Sequence, residues 1–163
     1  MKFFLTSISI FSILAFSRFI PHPPNFTSLL ALSFYVPVIF GIKFLPILII
    51  GFALTDIFIG YHTGTFFTWG SVLLIGIISV NFKHTIKTRI SGALVGACIF
   101  FFITNFGVWT SGMYGYTFAG LVTCFTLAIP FFTYSLISTV IFSSLFEGII
   151  HIFKQKKYNF INC

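Results

Sequence analysis

Six apolar stretches, Lys2–Ile20, Thr27–Ile42, Phe44–Gly60, Phe66–Phe82, Ile90–Phe106 and Phe131–Phe153, take up most of this 163-residue chain and leave only short turns between them. A helix that crosses a bilayer needs about 20 apolar residues, and only helices and closed barrels satisfy their backbone groups in lipid. Runs of this length and spacing therefore predict an all-α integral membrane protein, a six-span bundle. With 58% hydrophobic and 7% charged residues and a mean hydropathy of +1.08, the chain has too little polar surface to cover a soluble globule. No linker separates one part from another, so 1–163 reads as a single transmembrane domain.

The charges then choose an orientation. If the N-terminus is cytoplasmic, the inner segments carry Lys2, Lys43, Lys83, Lys87, Arg89, Lys154, Lys156 and Lys157, and the outer loops keep only Arg18. That asymmetry predicts both termini in the cytoplasm. The net charge of +7 thereby goes to orientation and anionic lipid, and no nucleic-acid partner is expected.

Proline and glycine mark the turns. Pro21 should stop the first span, Pro21–Pro24 should be stiff and extended, and Asn25 or Thr27 can cap the second helix. Pro37 predicts a kink, and Gly41 with Pro46 brackets a tight inner turn. Tyr61–Thr65 is a short outer turn, and Lys83–Arg89 connects to the fifth span. Phe118–Ile129 is only about 12 residues, too short to span, and reads as a re-entrant or interfacial helix before the last span. The competing reading makes it the first half of a long final span kinked at Pro130. The N-terminus resembles a signal peptide with a site near Ala15-Phe16-Ser17, but Arg18 and Pro21 follow at once and the run is near span length, so an uncleaved span is expected. The Asn25-Phe26-Thr27 sequon would matter only in a glycosylating pathway.

The chain has two acids, Asp56 and Glu147. Asp56 lies one turn inside the outer end of the third span, where a carboxylate should face the bundle or a wet cavity and pair with Arg18 or His62. It could serve there as a tie between helix ends or as a binding group. Glu147, with His151 four residues on, reads as a pair snorkelling to the cytoplasmic interface. His22 and His62 share the outer face, but without metal-ligand spacing, and Cys98, Cys124 and Cys163 lie in separate segments. Neither metal nor cofactor is expected. Two acids near opposite faces exclude a catalytic dyad, and no nucleophile motif or P-loop is present, so an enzyme is not expected.

What remains is binding. Arg18, His22, Asn25, Asp56, His62, Asn105 and Trp109 gather polar handles and an aromatic surface on one face, the usual recipe for a small-molecule pocket. An aromatic belt at the membrane interface would also collect Trp and Tyr there.

The blocks Ser-Arg-Phe-Ile-Pro-His-Pro-Pro-Asn-Phe-Thr at 17–27, Asp-Ile-Phe-Ile-Gly-Tyr-His at 56–62, Thr-Asn-Phe-Gly-Val-Trp at 104–109 and Ala-Ile-Pro-Phe-Phe at 128–132 resemble those of a bacterial family of small uncharacterised membrane proteins. That family is related to the substrate-binding S components of energy-coupling-factor vitamin transporters, and some members are labelled cobalamin transporters. The resemblance implies six spans in the bacterial inner membrane, uptake of a vitamin or cofactor-like solute such as cobalamin bound from outside, and an energy-coupling module with ATPase subunits as partner. The chain departs from S components in two places. Ser7–Ser17 carries Phe11 and Phe16 where an Ala-x-x-x-Ala docking pattern is usual, and Thr139 stands where the family has an acid. The alternative, from another class, is a structural or assembly subunit of a membrane complex with no small-molecule ligand.

Overall fold

The computed structural model describes residues 2–82 and 85–161, with side chains at 3–82, 85–153 and 155. Lys83, Cys163 and the side chains of Lys2, Lys154, Lys156 and Lys157 lie outside the described residues. Within them the chain forms six α-helices and no strand: α1 (Lys2–Phe19), α2 (Leu29–Phe40), α3 (Leu45–Ile59), α4 (Thr65–Ser79), α5 (Ile86–Thr110) and α6 (Phe118–Ile161), with a 3-10 turn at Ile42–Phe44. Three stretches, Ile42–Ile59, Ile86–Thr110 and Phe118–Phe153, are long and apolar enough to cross a membrane.

The centre of the bundle is α2. It touches all five other helices, and Leu29–Pro37 is buried at every position. A helix buried all round must be apolar all round, and this one carries no charge. With 12 residues it is only about 18 Å long, shorter than the Thr27–Ile42 span read from the sequence. Pro21–Ser28 stays outside the helix. Asn25 there takes the left-handed φ of 62°, so it does not cap α2, and the cap position belongs to Ser28. The Ser28 hydroxyl instead meets the Ser17 hydroxyl at 2.7 Å, tying the entry of α2 to the end of α1.

The inner turn follows the glycine and proline signals. Gly41 has a φ of 94°, a region open to glycine at little cost, and Pro46 sits in the first turn of α3, where its missing N–H costs nothing. Thr85 and Thr88 exchange hydrogen bonds in a capping box that starts α5.

Helix α6 differs from the expectation. Phe118–Ile129 is not a separate re-entrant helix; it continues through Pro130 as one helix of 44 residues, the arrangement weighed as the alternative. The reason lies across the α5 interface. The Phe101 ring packs on Phe125 at 5.5 Å and stacks on Phe132 at 4.4 Å, so one α5 side chain holds both sides of the proline. The start is fixed by Thr117, whose hydroxyl accepts the Gly120 N–H at 3.0 Å.

Candidate functional site

Two buried ion pairs sit at opposite ends of the bundle. Arg89 opens α5 and Asn105 lies near its end, 16 residues on or about 24 Å.

At the Asn105 end, α1 brings Arg18 to Asp56 on α3, Nη2 to Oδ1 at 2.6 Å. Arg18 Nη1 also donates to Thr55 Oγ1 at 2.5 Å and to the Phe52 carbonyl at 3.3 Å, and its guanidinium lies 4.5 Å from the Phe52 ring centroid. The second carboxylate oxygen of Asp56 accepts the Trp69 indole N–H at 2.7 Å. Asp56 is thus 5% exposed and held by charge-assisted bonds, as a carboxylate removed from water requires. The expected partnership of Asp56 with Arg18 is present.

Around this pair opens a cavity of about 280 Å³, with Arg18, His22, Asn25, Asp56 and His62 in its wall. A second cavity of about 200 Å³ adjoins it, includes Asn105, and shares Asn25, His62, Thr68, Phe100 and Ser135 with the first. Six of the seven residues selected from the sequence therefore line these two adjoining cavities. Trp109 lines neither cavity. Helix α5 runs to Thr110, one turn past the expected end of the fifth span. Trp109 therefore sits on the helix, its ring packs against Phe106 and Tyr116 at 5.6 and 6.3 Å, and its indole N–H is buried with no partner among the described residues.

The two histidines differ in what they offer. His62 Nδ1 accepts the Gly64 N–H at 3.1 Å, so a neutral ring carries its proton on Nε2 and can donate there. His22 Nδ1 lies 2.7 Å from the Pro23 carbonyl; a carbonyl only accepts, which leaves Nε2 of a neutral His22 as an acceptor. The His62–Thr65 turn is locked twice more, by Thr65 Oγ1 to the His62 carbonyl at 2.7 Å and the His62 N–H to Thr65 Oγ1 at 3.0 Å. Asn105 uses Nδ2 on the Phe101 carbonyl at 2.7 Å, and its own carbonyl receives Cys124 Sγ at 3.4 Å. Cys124 therefore helps join α5 and α6. The described residues hold no group of three or more His, Cys, Asp or Glu side chains that could bind a metal ion.

Sequence reasoning missed Trp69, Thr55, Thr68 and Ser135. Trp69 was findable: Asp56 and Trp69 lie six residues before and seven after His62, which places them side by side on two helices joined by that turn.

At the other end, the expectation for Glu147 is corrected. It does not snorkel with His151, which is exposed. Arg89 grips it with two bonds, Nε to Oε1 at 2.7 Å and Nη2 to Oε2 at 2.6 Å, and the Tyr35 hydroxyl donates to Oε1 at 2.9 Å. Donors from α5 and α2 satisfy the carboxylate in the interior, where a fork of two parallel bonds is strongest. Arg89, counted among the loop cations, is 8% exposed.

The family of unknown function DUF6580 has a model that matches residues 1–161. The chain belongs to that family. No curated protein and no solved structure matches the chain.

Proposed function

We propose that this DUF6580 chain is a six-span protein of the bacterial inner membrane, both termini cytoplasmic, that binds a compact vitamin-like solute from the outer face and takes part in its uptake. The observation that carries the reading is the pair of adjoining cavities at the Arg18 end. Four segments contribute polar groups to it, and several of those groups, His62 Nε2 and the Asn25 side chain among them, make no hydrogen bond among the described residues. The short α2 is compatible with six spans because its body, Leu29–Pro37, is enclosed by the other five helices. The motifs at 17–27 and 104–109, similar to those of S-component relatives, support the same class and an energy-coupling module with ATPase subunits as partner. The cavities, about 280 and 200 Å³, each fall below the roughly 300–1,000 Å³ typical of small-molecule sites. That favours a compact solute, since a corrinoid would require the walls to part.

One observation favours the structural alternative. Arg18 and Asp56 satisfy each other, with Thr55 and Trp69 completing the set, as a tie between helix ends would.

Thermal unfolding of the purified chain with a panel of water-soluble vitamins, cyanocobalamin included, separates the two. A specific ligand at 100 times its dissociation constant adds about 2.7 kcal/mol. His62→Ala and Asn25→Ala are expected to abolish that gain at a ligand-free cost of about 1–2 kcal/mol each, since the first loses the Gly64 hydrogen bond and the second puts alanine at a left-handed φ. Stabilisation by none of the panel supports the structural reading instead.

A further inference from the structure

Between the polar cavities and the Arg89 end, α6 is turned inside out. Over positions 131–150 every buried residue on it is polar, namely Ser135, Ser138, Thr139, Ser143 and Glu147, while the exposed ones are mostly apolar. Ser135, Thr139, Ser143 and Glu147 follow one another at four-residue spacing, so they form one stripe along the helix. The stripe starts at Ser135, in the wall of both cavities. Twelve residues on, about 18 Å, it ends at Glu147, where Arg89 and Tyr35 bind the carboxylate.

Close packing of helices in a membrane asks for small side chains and is content with hydroxyls that bond their own helix. At the other end of α6 the same face meets that need with Gly120, Cys124 and Ala128. Small size alone therefore does not call for four hydroxyls that lead to a carboxylate. Three of the four are satisfied locally: Ser135 Oγ donates to the Phe131 carbonyl at 3.1 Å, and Ser138 Oγ and Thr139 Oγ1 donate to the Ser135 carbonyl at 3.0 and 2.7 Å. Each keeps lone pairs with which to accept. Ser143 is different. It is fully buried, and its Oγ makes no hydrogen bond among the described residues. A buried hydroxyl without a partner is costly, and water is what ordinarily completes it.

We propose that this face of α6 is a hydrated path through the bundle, open to the polar cavities at Ser135 and closed at the far end by the Arg89–Glu147 pair with Tyr35. Arg89 stands on α5, Tyr35 on α2 and Glu147 on α6, so the closure ties together the helices that must part for the path to open. Polar groups buried at membrane depth mark such paths. For its cargo the path rests on the uptake reading, to which it adds a way inward through this chain; its hydration does not depend on any solute.

The test asks whether water reaches the stripe. In a background of Cys98→Ala, Cys124→Ala and Cys163→Ala, single cysteines are placed by Thr139→Cys and Ser143→Cys on the buried face, and by Ile141→Cys and Leu145→Cys on the exposed face at similar depth. Silver ion, small and confined to water, is added to right-side-out or inside-out membrane vesicles, and thiols left unblocked are counted with a maleimide in SDS. From the side that presents His62, the two buried positions are expected to be blocked about 10-fold or more faster than the two exposed ones, because a thiol in apolar surroundings stays protonated and inert. From the other side all four should be slow. Adding Glu147→Gln should then speed the blocking of Ser143→Cys from that side by about 10-fold. The pair Arg89→Gln/Glu147→Gln, which strands no charge, makes the same measurement if the single variant folds poorly. Buried positions as slow as the exposed ones from both sides mean a dry, packed face and overturn the proposal. Equal blocking of Ser143→Cys from both sides without Glu147→Gln overturns it as well, as does a far side that stays closed in both gate variants. No solute enters the measurement, so a failed vitamin panel and a dry stripe are separate results.

Discussion

Asp56→Asn isolates the charge in the Arg18 pair while keeping the shape of the side chain. In the parent, one carboxylate oxygen takes Arg18 at 2.6 Å and the other takes Trp69 at 2.7 Å. An amide keeps a single acceptor, so either the guanidinium or the indole N–H then faces an NH₂ group. Removing one partner from a buried pair costs about 3–5 kcal/mol. Arg18 keeps Thr55, the Phe52 carbonyl and the Phe52 ring and borders the cavity, which lowers the expected loss to about 2–3 kcal/mol. Arg18→Met is worse, at about 3–5 kcal/mol, because it leaves a carboxylate with one neutral donor. In the double variant Arg18→Met/Asp56→Asn no charge remains to be compensated, and its loss should fall at least about 2 kcal/mol short of the sum of the two single losses. Equilibrium unfolding in mixed micelles with rising SDS measures all three. Single losses that add to within about 0.5 kcal/mol would show that the pair is not coupled, and the argument that Asp56 is held in the bundle by Arg18 would fall with it.

At the other end, Glu147→Gln should destabilise by about 3 kcal/mol or more by stranding Arg89, and Tyr35→Phe by about 1 kcal/mol, read in the same micelles; a neutral Glu147→Gln would restore the snorkelling picture. Gly120→Ala should cost about 2 kcal/mol, because a Cβ there would collide with the backbone carbonyls of Tyr114 and Gly115, which cannot turn aside as a side chain can; the check is its unfolding midpoint against that of Gly148→Ala, whose Cβ would meet nothing. Reporter fusions after Lys157 and within Thr110–Tyr116 should report opposite sides of the membrane, the C-terminal one cytoplasmic; a periplasmic C-terminus would invert the uptake proposal.

Helix existence was legible because apolar runs and the Pro and Gly signals between them act locally. Gly41, Pro46 and the His62 turn stand where their backbone preferences put them. Lengths were less legible. Leu29–Phe40 is short because the chain spends Pro21–Ser28 on the cavity wall, and Phe118–Ile161 is long because Phe101 bridges Pro130. Both decisions belong to packing between helices, which a one-dimensional pattern does not contain.

The same division runs through the charged residues. Asp56 could be paired from sequence because only one strong cation, Arg18, shares its predicted face, so elimination sufficed. For Glu147 the sequence offered a neighbour one turn away, His151, and a local partner looks sufficient until burial is known. Once α2 and α5 enclose position 147, an exposed imidazole cannot satisfy a carboxylate that has lost its water, and only a guanidinium with a hydroxyl in support can. Arg89 was miscounted for the matching reason: at the start of a span a cation reads as a topology signal, yet here it is spent inside the bundle. On the topology expected from the sequence, seven lysines still fall on one side against the single arginine, Arg18, on the other.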